Sequence, residues 1–201
     1  MTAERIAALE LPAALLVAAM SLWLLVSHRW RTSLVALAFL YLGVFILVAN
    51  RWPLAMSAVK LVAGWMALAI LGAGIAGAPL SWQSEERFWP SGRFFRFLLA
   101  ILMGLAIWSV TPRLENWLPA VDSIHVWGGA VLIGMGLLHL ALTAQPLRAT
   151  LALLTILAGF EVLYAALESS VLVAALLATI NLGVALVGAY LLNLSAPGET
   201  A

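Results

Sequence analysis

LALLTILAGFEVLYAAL, residues 151–167, is a run in which every side chain but one is apolar, tiny or a neutral hydroxyl, and the exception is Glu161. A helix rises about 1.5 Å per residue, so a hydrocarbon layer about 30 Å thick takes about 20 residues. This run reads as part of a lipid-spanning helix. An ionisable side chain at such depth costs about 2.5–3.5 kcal/mol on insertion scales. Residues of that kind face a bundle interior, find a partner and mark an ion or proton path. The first question put by the sequence is what accompanies Glu161.

The rest of the chain has the same character. Hydrophobic residues make up 65% of the 201 and charged residues 9%, where a soluble domain has about half and about a quarter. The chain is read as an all-α integral membrane protein with about seven spans. Hydropathy breaks place them at 7–27, 33–50, 54–77, 94–111, 124–144, 148–167 and 171–194. The breaks are SHRWR (27–31), RWP (51–53), APLSWQSEERFWPSGR (78–93), TPRLENWLPAVDS (111–123), QP (145–146) and ESS (168–170). The layout divides into a three-helix block, 1–77, the loop 78–93, and a four-helix block, 94–201. MTAERIAALELP leads into an apolar stretch without a small-residue cleavage site, so no signal peptide is expected.

Arginine placement orients the bundle. With the N-terminus outside, Arg29, Arg31, Arg87, Arg93, Arg96 and Arg148 lie inside, and Arg5, Arg51 and Arg113 outside. That excess predicts N-out, C-in in the cytoplasmic membrane. Trp30, Trp52, Trp82, Trp89, Trp117 and Trp127 lie near span ends, as an interfacial aromatic belt does. The loop 78–93 mixes Trp, Phe, Arg and Glu, which suits a segment lying on the inner membrane surface or docking a neighbouring subunit.

Candidate functional residues are the polar positions inside the spans. Lys60 comes six residues after Leu54, and Glu161 seven before Glu168, which puts both about 10 Å below the outer ends of their helices. A Lys60–Glu161 pair would solve two insertion problems at once. As a relay or gate, its proton affinity would depend on hydration and partner distance. The alternatives are a static pair, or a Lys60 that snorkels outward on its long stem. Tyr164, three residues past Glu161, and Glu168 extend a polar stripe to the outer surface. Asn181 and Thr179 mark the last span. Asn181 either hydrogen-bonds Glu161 or joins two helices, a contact worth about 0.6 kcal/mol on average.

Other chemistries find little support. His125 and His139 are 14 residues apart on one span, about 21 Å, a separation that suits two stacked haems. Only His28 remains as a further ligand, and three histidines cannot make two bis-His sites. No cofactor is expected, and His139 is read as a hydrogen-bonding residue of the bundle interior. There is no cysteine, which excludes disulfides and Cys-ligated iron–sulfur clusters. The chain has no nucleotide loop, zincin motif or nucleophile elbow, so it has no recognisable active site of its own. A net charge of +1 without a basic patch gives no footprint of a nucleic-acid partner. Gly72 with Ala76, and Gly129 and Ala130 with Gly134, read as close helix packing.

The stretch PLRATLALLTILAGFEVLYAALESSVLVAALLATINLGVALVGAYLL (146–192) resembles the K subunit of bacterial complex I. The likeness rests on Arg148 in the turn before the helix, the Gly159–Phe160–Glu161 step, and Asn181–Leu182–Gly183 on the final helix. The longer layout is similar to the E component of hydrogenase-4, with Lys60 at the position of an intramembrane lysine. The final helix departs from the K subunit: Thr179 and Asn181 stand nearest to where that family has a second carboxylate. Val162 also follows the buried Glu where Asn is common. The resemblance implies a non-catalytic membrane subunit beside antiporter-like subunits, with redox centres on other chains. The proton or ion path it implies would run through Glu161 and Lys60, with Tyr164, Asn181, Thr179 and His139 as the further polar candidates read from the residues themselves.

Overall fold

The computed structural model describes residues 9–27, 29–77 and 92–194. His28, Trp82, Trp89 and nearly all of the loop expected on the membrane surface lie outside the described residues. Among the described residues there are seven helices: α1 (Glu10–Val26), α2 (Trp30–Ala49), α3 (Leu54–Gly77), α4 (Arg93–Trp117), α5 (Ser123–Ala141), α6 (Pro146–Leu167) and α7 (Val171–Leu194). No strand occurs among the described residues. Six of the helices are long and apolar enough to cross a membrane, and α1, at 17 residues, is shorter. The all-helical, multi-pass reading therefore holds.

The helix ends follow the local chemistry. Pro146 opens α6, where its missing amide proton costs nothing. Asp122 precedes α5 in an extended conformation. The expected break at Thr111 is a correction: α4 runs through Pro112 to Trp117. Proline removes one backbone donor and crowds the turn before it, but it does not end a helix whose flanks both favour helix. The Thr111 hydroxyl donates to the Ile107 carbonyl at 2.7 Å, inside the turn that the proline perturbs.

Except for the long segment between α3 and α4, the connections are short and make consecutive helices antiparallel; the end at which α1 begins is the upper end. Helices of the two sequence blocks interleave: α1 lies on α5, and α3 on α7. The α5–α6 pair has the most extensive contact, followed by α3–α7. Lipid tails are as apolar as leucine, so close van der Waals contact does what hydrophobic burial does in water. Gly159 shows how close that contact is, since a Cβ there would lie 2.8 Å from the Gly129 carbonyl oxygen of α5. The main core gathers Leu37, Leu40, Val44, Leu71, Leu154 and Val162 from α2, α3 and α6. A smaller one joins α4 to α1 and α5 through Leu25, Ala100, Ile107 and Val131. Most of α4 and α7 faces outward.

Candidate functional site: a buried ion pair at the junction of three helices

Successive residues of an α-helix turn by about 100°. Gly159 lies against α5, so Glu161, two residues on, points to the opposite side of α6, towards α3 and α7. Lys60 of α3 reaches it there, and Nζ forms an ion pair with Glu161 Oε1. The Asn181 side chain of α7 donates from Nδ2 to the same oxygen at 3.1 Å. The side chains of Lys60 and Glu161 are 4% and 2% exposed, and Asn181 is fully buried. One carboxylate thus ties α6 both to α7, its neighbour in the chain, and to α3, which is remote from it in sequence. Lys60 does not snorkel to the surface.

The arrangement is held from below. Gly64 is one turn past Lys60 on the same face of α3, and the Tyr41 ring of α2 lies flat against it. A Cβ at Gly64 would fall 2.7 Å from that ring. Tyr41 is buried, and its hydroxyl has no hydrogen-bond partner among the described residues. Glu161 Oε2 and Asn181 Oδ1 likewise keep unused acceptor capacity among the described residues. Such groups are where buried water is accommodated in a protein interior. Sequence reasoning passed over Tyr41, although a lone tyrosine in the middle of VALAFLYLGVFIL (35–47) was its visible signal.

The other expected site residues lie elsewhere. Thr179 is exposed on the outward face of α7, and its hydroxyl donates to the Ala175 carbonyl of its own helix at 2.9 Å. It is two residues from Asn181, and about 200° of rotation separates them. Tyr164 contributes its ring: it stacks on Phe160 and meets Trp52 edge-on at 6.4 Å. No hydrogen bond of its hydroxyl links it to Glu161 among the described residues. Trp52 itself is buried, and its indole N–H donates to the Glu168 carbonyl at 2.9 Å. It pins the α2–α3 turn to the end of α6, whereas the sequence reading placed it in an interfacial belt. Trp117, 82% exposed, fits the belt reading.

The histidines stand apart from the triad. His139 is buried near the lower end of α5, at the end where Arg148 opens α6. Arg148 and Glu161 are 13 residues apart on that helix, about 20 Å. His125 is fully buried near the upper end, with Nε2 3.1 Å from the Leu47 carbonyl. That contact places the proton on Nε2 and uses it. Two arginines of the expected inner set turn into the bundle at the lower end. Arg96 and Arg148 donate to the Leu25 and Ser27 carbonyls at 3.5 and 3.1 Å, capping the open end of α1. At the upper end Arg51 pairs with Asp122 across the α2–α3 and α4–α5 connections.

No group of three or more His, Asp or Glu side chains that could hold a metal ion occurs among the described residues. In comparisons with known proteins, no family model, curated protein or solved structure matches the chain.

Proposed function

We propose that the chain is a non-catalytic, multi-pass subunit of a complex I-like or hydrogenase-4-like ion-translocating redox complex. It sits N-out, C-in in the cytoplasmic membrane, beside antiporter-like subunits. Glu161 is its coupling residue, with Lys60 as the counter-charge and Asn181 as the hydrogen-bonding neighbour. The observation that carries the reading is the Lys60–Glu161–Asn181 junction, a protonatable pair at membrane depth shared by three helices. A buried pair has two discrete arrangements, closed and separated. A shift of α3 and α7 against α6 changes the distance between the charges. Because the proton affinity of the carboxyl depends on that distance and on hydration, the shift moves a proton or an electrostatic signal. Tyr41 is the nearest additional candidate on the path, since its ring lies against the α3 face that carries Lys60.

A structural reading has its own support: both contacts converge on one carboxylate oxygen, as they would in a device that fixes helix register. The test is to tag the chain in its host, isolate the native membrane complex and compare wild type with Glu161→Gln. The coupling reading expects large antiporter-like and redox partners to co-purify with both. It also expects redox-driven ion translocation in membrane vesicles to collapse in the variant while assembly is kept. Normal translocation with the variant subunit in place would leave the register role alone.

A further inference from the structure

A second feature lies on the outside of the α1–α2 hairpin, far from the buried pair. An open groove of about 360 Å³ runs between the two helices, lined by Met20 and Trp23 of α1 and by Val35 and Phe39 of α2, with Arg31 at its lower end. That size falls within the range of about 300–1,000 Å³ typical of small-ligand sites. Trp23 and Phe39 stand up from the surface, 55% and 49% exposed, and form walls. Arg31 and Phe39 are eight residues apart, about 12 Å along the helix. The groove therefore covers most of one leaflet of a hydrocarbon layer about 30 Å thick.

Among the described residues, the charges at its lower end are of one sign. Arg29 and Arg31 are exposed, and neither has a carboxylate partner among the described residues. Arg31 is held over the Trp30 ring, 5.0 Å from its centre. Helix α2 starts here without a side-chain cap, so its first amides and the positive end of its dipole face the same spot. The Thr32 hydroxyl donates to the Arg29 carbonyl at 2.8 Å and lies 2.7 Å from Ser27 Oγ, which fixes the turn. Basic sites between spanning helices on the cytoplasmic side recognise anionic headgroups.

We propose that this groove binds one anionic phospholipid. An acyl chain lies between Trp23 and Phe39, and the phosphate sits against Arg29, Arg31 and the first turn of α2. The inference needs the helices to span a membrane and is independent of any role for Glu161.

The test uses the full chain, delipidated in mild detergent, with phosphatidylglycerol or phosphatidylcholine of matched acyl chains, read by native mass spectrometry. A single phosphatidylglycerol adduct is expected, retained in preference to phosphatidylcholine. Arg29→Gln with Arg31→Gln should weaken it about 25-fold, about fivefold for each arginine near the surface. Val35→Trp, at an exposed wall position, should weaken it with both arginines in place. Circular dichroism confirms that each variant is folded. Equal retention of the two lipids, or wild-type retention by either variant, overturns the assignment.

Discussion

Removing one half of the buried pair should be far more damaging than removing both halves. In Lys60→Met the Glu161 carboxylate, 2% exposed, keeps only the Asn181 hydrogen bond. Breaking a buried pair in this way costs about 3–5 kcal/mol, because the remaining charge is uncompensated. The Asn181 contact offsets little of it, since interhelical hydrogen bonds average about 0.6 kcal/mol. Helices released in lipid find other polar partners, so the lower end of that range is expected. Glu161→Leu should cost as much by stranding Lys60. If the two effects were independent, the double variant would lose about 6–10 kcal/mol, yet replacing a whole buried pair by apolar residues is commonly neutral or stabilising. The double variant Lys60→Met/Glu161→Leu is therefore expected to return close to wild-type stability. The assay is reversible unfolding in mixed micelles, titrated with denaturing detergent and followed by tryptophan fluorescence. A double variant as unstable as the sum of the single ones would refute the pairing.

Three further outcomes are expected in the same assay. Gly64→Ala puts a methyl group 2.7 Å from the buried Tyr41 ring, which should cost about 1–3 kcal/mol as overpacking; adding Tyr41→Leu should recover part of the loss. Thr179→Val changes an exposed residue bonded only to its own helix, and should stay within about 0.5 kcal/mol of wild type with full function. Trp52→Phe removes the indole donor to the Glu168 carbonyl and should cost about 0.5–1.5 kcal/mol, with amide exchange rising first at the α6–α7 turn.

The depth arithmetic was sound for Lys60 and Glu161 because each helix has a fixed rise, and two residues counted from the same end lie at the same level. Rotation is harder to count. Thr179 and Asn181 differ by two positions, and in a helix that is apolar all round no stripe reveals which of them faces inward. The packing of α7 on α3 turns Asn181 to the carboxylate and leaves Thr179 outside. His139 shows a related difficulty: it shares the bundle interior with Glu161, but it lies near the opposite end. Trp52 was assigned from its place in a turn, and only its hydrogen bond to a residue 116 positions away reveals that it points inward.

Composition and hydropathy alone dictated a helical bundle with long apolar segments, because a chain with so few charges cannot clothe itself for water and, in lipid, backbone groups must be satisfied within each helix. They also placed Glu161 and Lys60 at one depth and offered a pair as one way to meet the cost of both charges, beside a Lys60 that snorkels outward. The tertiary structure decided which helices touch. Gly159 against Gly129 turns Glu161 away from α5, and the close pairing of α3 with α7 delivers Lys60 and Asn181 to the same oxygen. Those choices depend on side-chain shapes meeting between helices, which no local pattern records.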